Sequence, residues 1–166
     1  MKFSLVDRIV KLEPGEAVST VKNLSMAEEY LQDHFPGFPV MPGVLMVESL
    51  VQAGAWLMRS DADFRYSCVL LKEAKAVKFN GFVKPGRALH VDCKVHKKSE
   101  TEYTFKAAGT IDGEESAVSA RVTLEQFNLA DRNPEMEASD ERRRSHFREQ
   151  FAVVWTPEAA SATVSA

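Results

Sequence analysis

From Leu89 to Leu124 apolar and polar residues alternate with a period of two. Leu89, Val91, Cys93 and Val95 alternate with His90, Asp92, Lys94 and His96; Tyr103, Phe105 and Ala107 follow the same rule. Val118, Ala120, Val122 and Leu124 repeat it against Ala117, Ser119, Arg121 and Thr123. Period two puts each apolar set on one face of a strand. Asp112-Gly113 between the second and third runs predicts a tight hairpin. Two shorter extended runs, Leu5 to Leu12 and Ala17 to Lys22, flank Glu13-Pro14-Gly15-Glu16. In that turn Pro presets φ and Gly admits a positive one, so these runs predict a second hairpin. Antiparallel strands with one apolar face need a cover.

The cover is the segment GVLMVESLVQAGAWLM, Gly43 to Met58, apolar on every side. As a helix its 16 residues would run about 24 Å, and a helix apolar all round is a buried one. Ser25 and Glu28 have the spacing of a capping box for a shorter helix ahead of it. The expected fold is therefore α+β, an antiparallel sheet wrapped around a central, mostly apolar helix. That body occupies residues 1–127, and residues 128–166 form a C-terminal extension of different character. Nine of the 17 residues from 134 to 150 are charged, and Asn133-Pro134 is a good helix start. A solvated helix and a disordered tail both fit, with frayed small residues from Ala159 to Ala166.

Composition narrows the class. A chain of 166 residues with 45% hydrophobic and 27% charged residues is one soluble globular domain plus an appendage. A net charge of −3 argues against a nucleic-acid partner. No uninterrupted apolar run of about 18 residues exists to span a membrane, and charges interrupt the N-terminal stretch where a signal peptide is apolar. Cys68 and Cys93 are the only cysteines, which argues for a reducing, cytoplasmic setting. With four histidines they make no zinc-type spacing, so no metal or other cofactor is expected.

Within this frame Glu48 stands out as the only ionisable residue between Gly43 and Met58. Either it shares a narrow exposed stripe with Gln52, one turn on, or it lines a pocket where desolvation favours a proton-donating form. Just upstream, DHFPGFPVMPG, Asp33 to Gly43, carries three prolines and two glycines. Such a loop is stiff, and it fixes His34, a residue type that titrates near neutrality. Gly43 opens the helix with an amide that has no intrahelical acceptor and no Cβ to keep a ligand away. That amide can polarise a carbonyl oxygen. Base, acid and carbonyl polariser together suit proton abstraction beside a carbonyl with loss of a β-substituent.

The run HFPGFPVMPGVLMVESLVQAGA, His34 to Ala55, resembles the signature of the hotdog-fold (3R)-3-hydroxyacyl-acyl carrier protein dehydratases of type II fatty acid synthesis. LVDR at Leu5 to Arg8 and FNGFVKPGRAL at Phe79 to Leu89 extend the resemblance more loosely over the body. The resemblance implies a hotdog fold, His34 as the catalytic histidine, Glu48 as the catalytic acid and Gly43 as the amide donor to the thioester carbonyl. Gln52 would support Glu48. It further implies a homodimer with shared active sites, His34 meeting Glu48 of the partner chain, commonly assembled into hexamers. Asp33 stands where the family usually has Gly, and the chain beyond about Asn128 has no counterpart in compact members. Glu48 in place of aspartate separates the chain from the bifunctional dehydratase/isomerases.

The partner implied is acyl carrier protein bearing a phosphopantetheine thioester. Carrier proteins are acidic, and Lys72, Lys75, Lys78, Lys84 and Arg87 form a basic cluster in which Glu73 is the only acid. That cluster is a docking surface or a solvated face. The Arg142-Arg143-Arg144 run, balanced by neighbouring acids, reads as a solvated helix face. Val44, Leu45, Leu50 and Val51 are candidate walls of an acyl tunnel. Two other functions remain open on sequence: acyl thioester hydrolysis, and a non-catalytic acyl-binding or assembly module.

Overall fold

A computed structural model describes residues 3–157. Six strands form a single antiparallel sheet: β1 (Arg8–Glu13), β2 (Ala17–Asn23), β3 (Cys68–Phe79), β4 (Ala88–Lys98), β5 (Glu102–Ile111) and β6 (Glu115–Phe127). Their order across the sheet is β1-β2-β4-β5-β6-β3. The helix α1 (Gly43–Asp61) runs against β2, β3, β4, β5 and β6. This is the expected sheet wrapped around a central helix, the hotdog arrangement.

The three alternating runs are β4, β5 and β6, and their apolar phases face α1. Leu89, Val91, Cys93, Phe105, Val118, Val122 and Leu124 are essentially inaccessible, as are Leu50, Leu57 and Met58 of the helix. Each such side chain contributes about 1.5–3 kcal/mol by leaving water. The approach is close at Gly54, where an added Cβ would lie 3.0 Å from the Phe105 ring and 3.1 Å from Leu124. The Asp112-Gly113 hairpin has both residues at positive φ, 51° and 82°, as a type I′ turn requires. Both cysteines are free and buried, and burial pushes the Cys93 thiol up to about 12.

Several local expectations are corrected. The first strand begins at Arg8 rather than Leu5, because Leu5 and Val6 leave the sheet to join the core. Ala117 is buried, not solvent-facing; a register shift between Gly109 and Thr110 turns it inward. The Ser25 hydroxyl accepts only from the Ala27 amide, 3.1 Å away. Glu28 instead pairs with Lys22 at 2.8 Å, so no capping box forms and a 3₁₀ turn starts at Glu29. The strand β3 was not foreseen, since its apolar residues do not keep a simple alternation and two register shifts interrupt its pairing with β6.

Beyond β6 the chain forms 3₁₀ turns at Leu129–Asp131 and Pro134–Met136 and then α2 (Glu137–Val154). The Asn133 side chain accepts from the Glu135 amide at 3.1 Å, with Pro134 in the first turn. Phe147, Phe151 and Val154 lie four and three residues apart and pack half-buried on the core. Phe147 meets the Trp56 ring edge-on at 6.0 Å, and Phe151 meets Phe64 at 5.3 Å. The anchor of this segment is Asp140, wholly buried. It accepts from the Ser67 hydroxyl, from Leu129 N at 3.0 Å and from Ala130 N at 2.8 Å. Arg144 is only 15% exposed, paired with Glu137 at 2.8 Å and Glu141 at 2.9 Å. The arginine run is therefore not uniformly solvated. Residues 159–166, expected to fray, lie outside the described residues.

Candidate active site

The loop before α1 is braced by its own backbone. Phe35 N donates to Phe38 O at 3.2 Å and Phe38 N to Phe35 O at 2.9 Å; Val40 N returns to His34 O at 3.2 Å. Met41 N donates to Val83 O at 2.9 Å, tying the loop to the segment after β3. His34 is half-buried, with its ring stacked on Phe35 at 4.1 Å. Its Nδ1 lies 3.0 Å from Val40 O. A carbonyl can only accept, so the neutral ring carries its proton on Nδ1 and keeps the lone pair on Nε2. This is the state a general base needs.

Gly43 opens α1 behind Pro42, which supplies no side-chain cap. An added Cβ there would sit 3.0 Å from the Phe79 ring. The start of the helix, the His34 loop and the end of β3 therefore adjoin. Glu48 lies in the second turn and is half-buried rather than sealed in the core. Its Oε1 accepts from Gln52 Nε2 at 2.9 Å. The same Gln52 nitrogen donates to Phe3 O at 3.0 Å, and Gln52 Oε1 accepts from Leu5 N at 2.9 Å. Gln52 thus clamps the N-terminal segment and fixes the Glu48 carboxylate together. Glu48 and Gln52 do share a stripe, and that stripe faces a cavity.

The cavity encloses about 580 Å³ beside α1. Glu48, Val51, Gln52, Ala55, Trp56 and Arg59 form its α1 wall, with Val69 of β3. Arg143, His146, Phe147 and Gln150 of α2 form the opposite wall. His34 does not line it. Of the four candidate tunnel residues only Val51 is there: Leu50 packs in the core and Val44 is 75% exposed. The contribution of α2 went unseen in the sequence, although Phe147, Phe151 and Val154 carry a helical apolar stripe that marks a packed face. Arg59 was missed as well, for want of any pattern around it.

The basic cluster is not a free cationic face. Lys72 pairs with Glu102, Arg87 with Asp112, and Lys75 with Glu73 at 2.9 Å. Lys78 and Lys84 form no ion pair among the described residues, and the Lys84 ammonium lies 4.9 Å from the centre of the Phe38 ring in the His34 loop. No described helix is long and apolar enough to cross a membrane.

Among solved structures the chain resembles the dehydratase heterocomplex ApeI:P from Xenorhabdus doucetiae, with a TM-score of 0.65 at 16% identity over 81% of this chain and 90% of that one. It also resembles smu.793 from Streptococcus mutans bound to acetyl CoA, with a TM-score of 0.59 at 15% identity over 77% and 93%. At those identities the likeness concerns the fold. Sequence relatives are nearer. The 3-hydroxyacyl-acyl-carrier-protein dehydratase FabZ of Levilactobacillus brevis is 39% identical over 119 residues, covering 72% of this chain and 80% of the relative. The protein of that name from Polynucleobacter necessarius is 37% identical over 115 residues, covering 69% and 77%. A sequence model of the FabA-like domain matches residues 1–120. The hotdog body, the clamped histidine and these matches together make the chain a member of the FabA-like domain family.

Proposed function

We propose that this protein dehydrates 3-hydroxyacyl thioesters of acyl carrier protein to trans-2-enoyl thioesters, in the cytoplasm and within fatty acid synthesis. His34 Nε2 takes the proton from C2 while the Gly43 amide steadies the charge that develops on the thioester oxygen. The C3–O bond then breaks, and Glu48 protonates the leaving hydroxyl, which departs as water. The observation that carries this reading is the 3.0 Å contact of His34 Nδ1 with Val40 O, which leaves a basic nitrogen in a family of dehydratases. Gln52 holds the Glu48 carboxylate for its part.

The working unit is a homodimer. The edge strand β3 has no neighbour on its outer side among the described residues and exposes Leu70, Leu71, Val77 and Phe79, with Phe82 just beyond. An apolar, unpaired strand edge is a template for pairing with a second chain. Phe38 of the His34 loop meets Phe82 at 5.8 Å, so the histidine borders the same surface. Pairing of two chains along β3 supports a site in which His34 of one subunit works with Glu48 of the other. Carrier protein docks beside the loop at Lys84, its acidic surface meeting a cation that stands next to the Phe38 ring rather than in an ion pair.

A spectrophotometric assay of enoyl formation from 3-hydroxyacyl thioesters tests the proposal. His34→Ala and Glu48→Gln are each expected to lower turnover by about 10²–10⁴-fold with unchanged circular dichroism. Turnover within a few-fold of wild type in either variant overturns the roles, and thiol release without enoyl absorbance overturns the reaction.

A further inference from the structure

The last turn of α1 holds a charge that the proposed chemistry does not use. Arg59 is 9% exposed, and its Nε has no hydrogen-bond partner. No carboxylate among the described residues forms an ion pair with it; the paired arginines are Arg65, Arg87 and Arg144. Its guanidinium lies 3.8 Å from the centre of the Phe147 ring and 5.5 Å from that of Trp56. Cation–π contacts offset only part of what it costs to bury an ion without a counter-ion. A cation suits the C-terminal end of a helix, but the helix offers no acceptor to Nε. Burial lowers the Arg59 guanidinium to about 10, which still leaves it charged at neutral pH.

Its position gives this charge a use. Glu48, Gln52, Ala55 and Arg59 are spaced by four, three and four residues, so they line one face of α1. Glu48 and Arg59 then lie about 16 Å apart along the helix axis, at two ends of one cavity. Between them the walls are mainly apolar, Val51, Ala55, Trp56, Val69 and Phe147, with Gln52 next to Glu48 and Gln150 on α2 as the polar exceptions. Arg143 and His146 of α2 stand at the rim and add positive potential. An apolar corridor with a reacting carboxylate at one end and an unmatched guanidinium at the other fits a methylene chain that ends in an anion. It does not fit the amide-rich pantetheine arm, whose phosphate is the other anion a thioester substrate carries.

Resting on the dehydratase reading, we propose that Arg59 recognises a carboxylate at the distal end of the acyl chain, so that the cavity selects ω-carboxy-3-hydroxyacyl thioesters over methyl-ended ones. The helix α2, which lies beyond the matched residues 1–120, completes that selectivity by walling the corridor. Two measurements test this. In the first, kcat/KM is compared for ω-carboxy and methyl-ended substrates of equal length on a pantetheine carrier without phosphate. The wild-type preference for the carboxylate is expected to fall about 10–100-fold in Arg59→Met, which keeps the contact with Phe147, and to return in part in Arg59→Lys. A ratio that does not change on removing the charge overturns the proposal. So does a loss seen only when a phosphopantetheine carrier replaces pantetheine, because the anion read is then the phosphate. The second measurement is calorimetric binding of decanoate and decanol to the full chain. Decanoate binding that weakens by a similar factor in Arg59→Met supports the anion site, and equal binding by both proteins overturns it. Wild type that dehydrates neither substrate yet binds decanoate through Arg59 would sink the dehydratase reading while keeping the anion site.

Discussion

Asp140 gives the sharpest test of how α2 is held to the body. Its carboxylate is buried and accepts from the Ser67 hydroxyl and from the amides of Leu129 and Ala130. A hydrogen bond to a charged group contributes about 1.5–3 kcal/mol, but the contributions do not add fully, and water can reach the two amides once the side chain is gone. Asp140→Ala is therefore expected to cost about 3 kcal/mol. For a chain of this size that lowers Tm by about 6–12 °C. Burial by itself would raise the Asp140 carboxyl, yet the Ser67 hydroxyl, the two amides and the nearby Arg144 together hold it below its ordinary value. A carboxyl whose pKa is lower folded than unfolded stabilises the fold above the unfolded value of about 3.9. That contribution disappears as pH falls through the folded value. Chemical denaturation of wild type and Asp140→Ala at a series of pH values should give a constant gap from neutral down to about pH 5, closing as the carboxyl protonates. Ser67→Ala, which removes one of the three contacts, should show a smaller gap. A difference under about 0.5 kcal/mol at neutral pH, or one that persists undiminished at pH 2, refutes the anchor.

Three further outcomes follow from the same geometry. Mixing His34→Ala subunits with Glu48→Gln subunits should restore part of the activity, and verified exchange without recovery would place both roles in one chain. Leu70→Lys with Phe79→Lys on the edge of β3 should shift sedimentation toward monomer and lower turnover with it, whereas an unchanged mass would remove β3 as the interface. Phe105→Ala should cost about 3–5 kcal/mol in denaturant unfolding, since the ring packs against Gly54 at the helix–sheet contact; a loss below about 1 kcal/mol would mean the core closes over the cavity.

Much of the body was legible because its signals are local. The period-two runs of β4, β5 and β6, the Asp112-Gly113 turn and the all-round apolar α1 each record a neighbour's demand within a few residues. His34, Gly43 and Glu48 were legible through the stiff loop and a charge set in an apolar helix. The strand β3 was not, because its sequence keeps neither simple period, with exposed apolar residues such as Leu70 and Leu71 and two register shifts along its pairing with β6. The pairing of Lys72 with Glu102 and of Arg87 with Asp112 was hidden too, since those acids are 30 and 25 residues away in the chain.

The sequence by itself determined the strands β4, β5 and β6, the central helix and which residues are candidates for chemistry, because these depend on residue type and short spacing. Tertiary structure decided which nitrogen of His34 is free, that Gln52 ties Glu48 to the N-terminal segment, and that α2 folds back to wall the Glu48 cavity. Those outcomes depend on contacts between residues 47 to 95 positions apart, or on a single carbonyl's direction. No local pattern encodes them, and only the packed chain brings Arg59, Trp56 and Phe147 against one another.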